Sequence, residues 1–391
     1  MRRNLRVRVD DNTWPRNVAP PNIKALSGLR QVDLIEFLLM IGYCTVPAHA
    51  ARHSINSLWA WVRYFGAISQ DQDLRLGADF SELDPHQKTI LSDDFGMGIS
   101  LQLLASALDL TEFCDGKYFI DRVAPRVRCH VAATGAKRGP RKSPDFVAID
   151  SSGRYHVIEC KGTQSGLAYA ERQLADAYPQ KEAISFDASI TGESLATGFS
   201  ISAESNTHSS TFIITDPEPK APQLRIDDDE EKIAHDAIAR GKISRILTLA
   251  GANSLARIVA APYGDRPSAT PDVIISKRQM ERERQLREQV DEEQSMLTPS
   301  PEGYGRMANI DLPFPIITEK GRFTKVKISS TIQKDAFDEW FEISKSDAPR
   351  SDELTGALSA AAKGKIISES DGTSGELRDG QLFSSHLELV K

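Results

Sequence analysis

The sequence is poor in cysteine and has no long apolar run. Its four cysteines include no CxxC pair, so neither a zinc knuckle nor a disulfide framework is indicated, and a reducing cytoplasm is the expected location. No stretch approaches the roughly 18 apolar residues of a spanning helix, and no apolar segment follows the basic start MRRNLRVRV. We therefore expect no membrane partner.

An excess of positive charge is lacking as well. The 391 residues carry a formal net charge of −7, with 26% charged and 40% hydrophobic residues. This balance excludes a protein that coats nucleic acid through a uniformly basic surface, so any phosphate contacts must be local. The length and the hydrophobic fraction are typical of a globular chain with about two or three structural units.

Hydrophobic periodicity indicates helices and strands in a mixed order. Helical spacing predicts helices over 31–43, 54–65, from Ser92 to about 108, over 167–183 and over 229–261. Short apolar runs predict strands over 117–121, 127–133, 144–150, 155–162, 198–202 and 211–216. In the helix that starts at Ser92, Gly96 and Gly98 are expected to permit close packing. The order indicates an α/β protein with a mixed central β-sheet flanked by helices.

Composition divides the chain into four predicted segments. These are an N-terminal helical region at 1–88, the α/β core with its following helices at 89–265, a charged linker at 266–310, and a small C-terminal β/α extension with a loosely ordered tail at 311–391. The charged stretch 277–295 is expected to be either a solvated helix or a tether. All of the candidate chemistry falls in the second segment.

Three charged residues fall at the ends of the two strands that flank Ser152. If these strands form a hairpin about Ser152, Asp145 lies opposite Glu159, and side-chain alternation puts Asp145, Glu159 and Lys161 on one face. Burying unpaired charge between apolar strands is costly. Mg²⁺ would relieve that cost, because it binds oxygen ligands, here the two acids and the backbone carbonyl of Cys160. A salt-bridged cluster is the structural alternative.

These residues carry a resemblance to a known family. Pro-Asp at 144–145 is followed, after thirteen residues, by Glu-Cys-Lys at 159–161. Over roughly 90–215, the chain resembles PD-(D/E)xK, or restriction-endonuclease-like, nucleases. The resemblance implies a restriction-endonuclease-like core, Mg²⁺ as cofactor with Mn²⁺ as its substitute, and hydrolysis of phosphodiester bonds. It implies that Asp145 and Glu159 bind the metal and that Lys161 positions the attacking water.

The resemblance also implies contributions from the two flanking helices. An acid of the preceding helix often completes the metal site in that family, and Asp94 is the first choice here, with Asp93 the second. Both are equally good N-caps of the helix expected to start at Ser92. A glutamine of the following helix commonly joins the catalytic residues, and Gln173 is the best match.

A basic loop stands directly before the first acid. It carries Lys137, Arg138, Arg141 and Lys142. Beside a nuclease motif these charges are expected to hold nucleic-acid phosphates, although an ordinary solvated loop has the same composition. DNA is the expected partner.

The expected function is that of a metal-dependent DNA endonuclease in restriction, phage defence or repair. Two alternatives stay open: a nuclease-fold subunit that binds nucleic acid or a partner without cleaving, and an RNA-directed nuclease, because the same chemistry serves either backbone. Double-strand cutting by one site per chain would favour a homodimer. Any ATP-driven step would need a separate ATPase, since the chain has no Walker motif.

Overall fold

The computed structural model of the chain describes residues 1–46, 64–128, 143–216, 224–260, 277–345 and 364–391. Its helices are α1 (Pro21–Lys24), α2 (Leu34–Cys44), α3 (Pro85–Ala107), α4 (Gly116–Val123), α5 (Leu167–Lys181), α6 (Glu231–Ala250), α7 (Asn253–Ala260), α8 (Lys277–Met296) and α9 (Lys334–Lys345). None of the described helices is both long and apolar enough to cross a membrane.

The strands divide between a central sheet, a C-terminal sheet and two short pairs. They are β1 (Arg2–Val9), β2 (Gly28–Asp33), β3 (Arg75–Leu76), β4 (Leu110–Asp115), β5 (Phe146–Asp150), β6 (Tyr155–Thr163), β7 (Ile184–Phe186), β8 (Thr191–Ser200), β9 (Ser202–Ala203), β10 (Thr211–Thr215), β11 (Leu224–Ile226), β12 (Thr298–Pro299), β13 (Gly303–Thr318), β14 (Gly321–Gln333), β15 (Ile366–Ser370), β16 (Ser374–Asp379) and β17 (Phe383–Val390). The short pairs are β7 with β11 and β3 with β9.

The central sheet is mixed, as predicted. Its seven strands run in the order β2-β1-β10-β8-β6-β5-β4. Strands β4, β5 and β6 are antiparallel neighbours, whereas β8 lies parallel to β6 and β1 lies parallel to β10. Helices α3 and α5 cover opposite faces of this sheet, because Gly162 of β6 meets Ser92 of α3 while Gly198 of β8 meets Leu174 of α5. The α/β class with flanking helices is therefore confirmed.

Several predicted elements agree with the structure. Helices α2 and α5, strands β5 and β6, and the strands at β8 and β10 lie where the periodicity places them, and 229–261 divides into α6 and α7. The charged stretch after residue 276 is a helix, α8. The predicted helix 54–65 falls almost wholly outside the described residues. So does most of the predicted strand 127–133.

Two element predictions are wrong. Residues 117–121 lie in helix α4, because Tyr118, Phe119 and Val123 are buried together at helical spacing, and a short apolar run does not distinguish a strand from a helix. Helix α3 begins at Pro85 and not at Ser92, because the Asp84 side chain accepts the first free N–H groups and proline suits the first turn.

The ends of the chain also differ from the prediction. Strands β1 and β2 belong to the central sheet, so the start of the expected N-terminal helical region contains an antiparallel strand pair; alternation of arginines with Leu5 and Val7 is the strand signal. Residues 366–390 form β15, β16 and β17, so the described part of the tail is ordered in a six-stranded sheet with β12, β13 and β14. The boundaries of the four segments remain predictions.

The C-terminal sheet shares the hydrophobic core of the central sheet. One continuous cluster of buried side chains includes Phe146 of β5, Phe37 of α2 and Leu387 of β17. Helix α2 lies between the two sheets, where Ile35 approaches Gly375 of β16 so closely that a Cβ there would collide with it. The described part of the C-terminal extension is thus packed against the core.

Candidate active site

Strands β5 and β6 form the hairpin that the sequence indicates, in the predicted register. Val147 pairs with Val157 and Ile149 pairs with Tyr155. The turn between them includes Gly153, whose φ of 83° lies in the left-handed region that glycine adopts without strain. This register brings Asp145, one residue before β5, beside Glu159 in β6.

Two reciprocal hydrogen bonds fix the acids. The backbone N–H of Asp145 donates to Oε2 of Glu159 at 3.1 Å, and the backbone N–H of Cys160 donates to Oδ2 of Asp145 at 2.7 Å. Each carboxylate is therefore held by the main chain of the other strand. Because both donors belong to the main chain of the paired strands, these bonds restrict where the two carboxylates can lie.

Lys161 completes the cluster. Its Nζ lies 2.5 Å from Oε1 of Glu159, and the lysine side chain is 22% exposed whereas Glu159 is 0% exposed. Side-chain alternation puts Glu159 and Lys161 on one face of β6, beside Ala196 and Gly198 of β8. The lysine thus links a buried carboxylate to solvent.

The electrostatics of the cluster oppose full ionisation of both acids. Burial raises the pKa of Glu159, and the neighbouring charge of Asp145 raises it further. Burial also raises the pKa of Asp145, although the Lys161 ammonium acts in the opposite direction. Burial disfavours the charge of Lys161, but Glu159 and Asp145 together raise its pKa above the usual value. With both carboxyls ionised, the cluster would hold one ammonium against two negative charges and would lack one positive charge.

Cys160 adjoins the cluster through its main chain alone. Its thiol lies on the other face of the sheet, near Ser100 of α3 and Thr197 of β8. Burial raises the pKa of this thiol well above its ordinary value, so it stays protonated and is a poor metal ligand. Only the backbone of Cys160 is in position to contribute.

Helix α3 brings Asp93, rather than Asp94, toward the cluster. Both lie inside the helix, so neither is an N-cap. Asp94 accepts a hydrogen bond from the hydroxyl of Tyr64. Asp93 stands one turn before Gly96, and its charge interacts with Lys161 and Asp145. Asp93, the second choice from the sequence, is therefore the helical acid whose charge acts on the site.

Glycines allow the close approach that builds the site. A Cβ at Gly162, directly after Lys161, would collide with the carbonyl oxygen of Ser92 in α3. A Cβ at Gly116 would collide with Pro144, and the Gly116 N–H donates to the carbonyl of Asp145 at 2.9 Å. The predicted role of Gly96 and Gly98 in close packing is confirmed, since a Cβ at either would collide with Gly162 or Ile41.

Gln173 lies on the flank of α5 that faces β6. Glu171 marks the opposite flank, because it pairs with Arg8 of β1 at 2.7 Å. Two residues advance a helix by about 200°, so Gln173 points away from β1. Its Oε1 is buried and accepts no hydrogen bond from the described residues. An unpaired acceptor on this flank is available to a group that enters the site.

The basic loop and the metal site are the two remaining predictions about this region. Lys137, Arg138, Arg141 and Lys142 fall outside the described residues. Within the described ranges, no group of three or more His, Cys, Asp and Glu side chains is arranged to hold a metal ion.

The donor set nevertheless fits a hard divalent cation. Two carboxyls adjoin each other, both with a raised pKa, and Mg²⁺ takes carboxylate oxygens while it keeps several of its waters. Asp145, Glu159 and the Cys160 main chain are the residues that would hold it.

Sequence reasoning ranked Asp93 second to Asp94 and missed the importance of Gly116 and Gly162. The Asp84-Pro85 pair was an available signal, because an N-cap followed by proline starts α3 there and makes Asp93 an interior residue. No comparable signal identifies Gly116, whose role depends on a contact with a distant segment. Comparison of the chain with protein-family models, with curated proteins and with solved structures finds no significant match.

Proposed function

We propose that this chain is a metal-dependent nuclease with a restriction-endonuclease-like core, and that its substrate is DNA. The observation that carries the proposal is the cluster of Asp145, Glu159 and Lys161. Two carboxyls are fixed by the main chain at the end of one hairpin, one of them is 0% exposed, and the lysine beside it is 22% exposed. A purely structural ion pair needs one acid for one lysine, and the second acid adds repulsion without a structural gain.

Each residue of the site has a separate role in phosphodiester hydrolysis. Asp145 and Glu159 would hold a divalent cation, which would supply positive charge to the phosphate and make a water molecule more acidic. Lys161, at 2.5 Å from Glu159, positions the attacking water and donates to a phosphate oxygen. Gln173 supplies an acceptor for the same water from the α5 side. The lysine stays protonated in this arrangement because both acids raise its pKa.

The flanking helices support the assignment. Helix α3 precedes the hairpin and carries Asp93, whose charge interacts with Lys161, and α5 follows it and carries Gln173. These are the positions at which the resemblance places a helical acid and a glutamine. Asp93 is therefore proposed as the acid of the preceding helix, with Asp94 assigned to its bond with Tyr64.

The test is hydrolysis by the purified full chain. Plasmid DNA, single-stranded DNA and RNA are each incubated with Mg²⁺, with Mn²⁺ and with EDTA. We expect DNA cleavage with either metal and none in EDTA. Glu159→Gln is expected to reduce the rate roughly 10²–10³-fold, because removing one preorganised electrostatic contact at a reacting centre costs that much.

Lys161→Ala is the second variant, and Glu376→Gln is the matched control, since Glu376 lies on β16 in the C-terminal sheet. All three variants are first checked for folding by circular dichroism. Metal-dependent cleavage at the wild-type rate by Lys161→Ala would reject the assignment. Absence of cleavage on every substrate would favour the non-cleaving subunit, and cleavage of RNA alone would replace DNA as the substrate.

A further inference from the structure

The edge of the central sheet formed by β1 and β2 presents a row of arginines to solvent. Strand β1 alternates, so that Leu5 and Val7 are buried while Arg2, Arg6 and Arg8 are exposed. Among the described residues, α5 is the helix that packs on this face, and it lies over β8 and β10 rather than over the arginines, since Leu174 packs on Ala196 and Ile213. We call Arg2, Arg6 and Arg8 the arginine row.

The charge of the arginine row is only partly balanced. Among the described residues, the Arg6 side chain makes no ion pair or hydrogen bond. Arg8 pairs with Glu171, but both partners are more than 40% exposed, and such pairs contribute little free energy and exchange readily. Asp73, which lies beside Asn4 of β1, is held by Arg75 at 3.4 Å, and the charge of Arg2 acts on Glu36 of α2. In a chain of net charge −7, this is a local positive surface.

The arginine row lies level with the catalytic cluster on the same face of the sheet. Lys161 pairs with Gly198, Gly198 with Ile213, and Ile213 with Arg8. Three interstrand spacings separate Lys161 from Arg8, which is about 14 Å along the sheet. Helix α5 stands between them, with Glu171 facing the row and Gln173 facing the cluster.

We propose that the arginine row binds the second phosphodiester backbone of a double-stranded DNA whose other strand is cut at the cluster. This inference rests on the proposed function and names its substrate as the B-form duplex. Guanidinium groups suit phosphate oxygens in charge and in geometry. Lys161 and Arg8 lie about 14 Å apart on either side of α5, and the major groove of B-DNA is about 12 Å wide and admits a helix. The A-form major groove is too narrow to admit one.

The test is equilibrium binding of the full chain in EDTA, so that binding is measured without cleavage. The probes are one sequence as duplex DNA, as single-stranded DNA and as duplex RNA, titrated from about 50 to 200 mM salt. We expect Arg6→Gln with Arg8→Gln to weaken duplex DNA binding roughly 10-fold, and to lower the slope of log K against log salt by about 1.8, since each lost phosphate contact contributes about 0.9. Binding of single-stranded DNA and of duplex RNA should change much less.

The matched control is Arg154→Gln with Arg322→Gln, two exposed arginines outside the row, which should leave the slope unchanged. An unchanged slope for the row variant would overturn the inference, and so would an equal loss on single-stranded DNA. Loss of binding to phosphatidylserine vesicles without loss of duplex binding would instead assign the row to a membrane and overturn it. Duplex binding through the row with no cleavage in Mg²⁺ would contradict only the nuclease proposal.

Discussion

Of the buried acids that pair with a lysine in the described part of the chain, two form a useful comparison: Glu159 lies in an open cluster at the hairpin, and Asp379 lies in a closed pair. Lys242 of α6 is 1% exposed and Asp379 of β16 is 0% exposed, with 2.6 Å between Nζ and Oδ1. Asp379 also accepts from the hydroxyl of Tyr43, and Lys242 donates to the carbonyl of Thr111 at 2.8 Å. Tyr43 and Thr111 thus add neutral contacts, and the charge of buried Glu112 also acts on Asp379. Such a pair joins the C-terminal sheet to the core.

The cluster at the hairpin differs in its access to solvent. Its lysine is 22% exposed, whereas Lys242 is 1% exposed. The difference teaches that burial and an ion pair do not by themselves indicate a site, because Lys242 and Asp379 have both. An excess of charge of one sign beside an exposed group is the feature that points to a ligand.

The largest expected effect is a loss of stability when the ion pair of Lys242 and Asp379 is broken. Lys242→Met should lower the free energy of unfolding by about 3–5 kcal/mol, because Asp379 is left buried without a cation. Lys161→Met should lower it by no more than about 1 kcal/mol, because its partner can take up a proton. Chemical denaturation measures both. Combining Lys242→Met with Asp379→Leu should restore part of the loss, and equal losses for the two lysines would contradict the comparison.

A second prediction uses pH and metal. Because its pKa is raised in the folded state, Glu159 holds its proton more tightly there than in the unfolded chain. Its contribution to stability is complete below the ordinary glutamate pKa of about 4.3 and is lost as pH rises through the raised value. In EDTA, the free energy of unfolding of the wild type should therefore fall relative to Glu159→Gln by roughly 1–2 kcal/mol between about pH 5 and pH 8.

Mg²⁺ should reverse that loss in the wild type alone. A ligand at a hundred times its Kd stabilises the folded state by about 2.7 kcal/mol, and Glu159→Gln removes one of the two carboxylates that would hold the ion. Thermal denaturation at pH 8 with and without Mg²⁺ measures the difference. Equal stabilisation of both proteins would place the metal elsewhere.

A smaller effect is expected at Gln173. Gln173→Leu should slow DNA cleavage roughly 10-fold, about 1.4 kcal/mol in the barrier, because it removes the acceptor that the proposed function assigns to the attacking water. Stability should stay the same or rise, since the buried Oε1 has no hydrogen-bond partner among the described residues. Gln180→Leu, two turns along the same helix, is the control. A stability loss without a rate loss would make Gln173 structural.

The smallest effect separates the two aspartates of α3. Asp93→Asn should reduce cleavage several-fold, because it removes a charge that interacts with Lys161 and Asp145. Asp94→Asn should instead cost about 1 kcal/mol of stability through its weakened bond to Tyr64. Rates at saturating Mg²⁺ and denaturation curves of the two variants distinguish these outcomes. The reverse assignment of effects would return Asp94 to the site.

Local pattern was sufficient to predict the hairpin and its register. The alternation of Val147, Ile149, Tyr155 and Val157 sets which side chains face each other, because a strand has a period of two and the turn fixes the offset. The closeness of Asp145 and Glu159 followed directly. Helix α5 was predictable for the same reason, since its buried face repeats at the helical period, whereas α2 is buried on nearly all sides.

The sequence alone thus determined the hairpin and the three charged residues on its one face. Tertiary structure decided which helical acid comes near them, because Asp93 and Asp94 differ only by the rotation of α3, and that rotation depends on Gly96 meeting Gly162. It also decided that β1 joins the central sheet beside β10, level with Lys161. Such long-range pairings depend on contacts between segments far apart in the chain, and no local period encodes them.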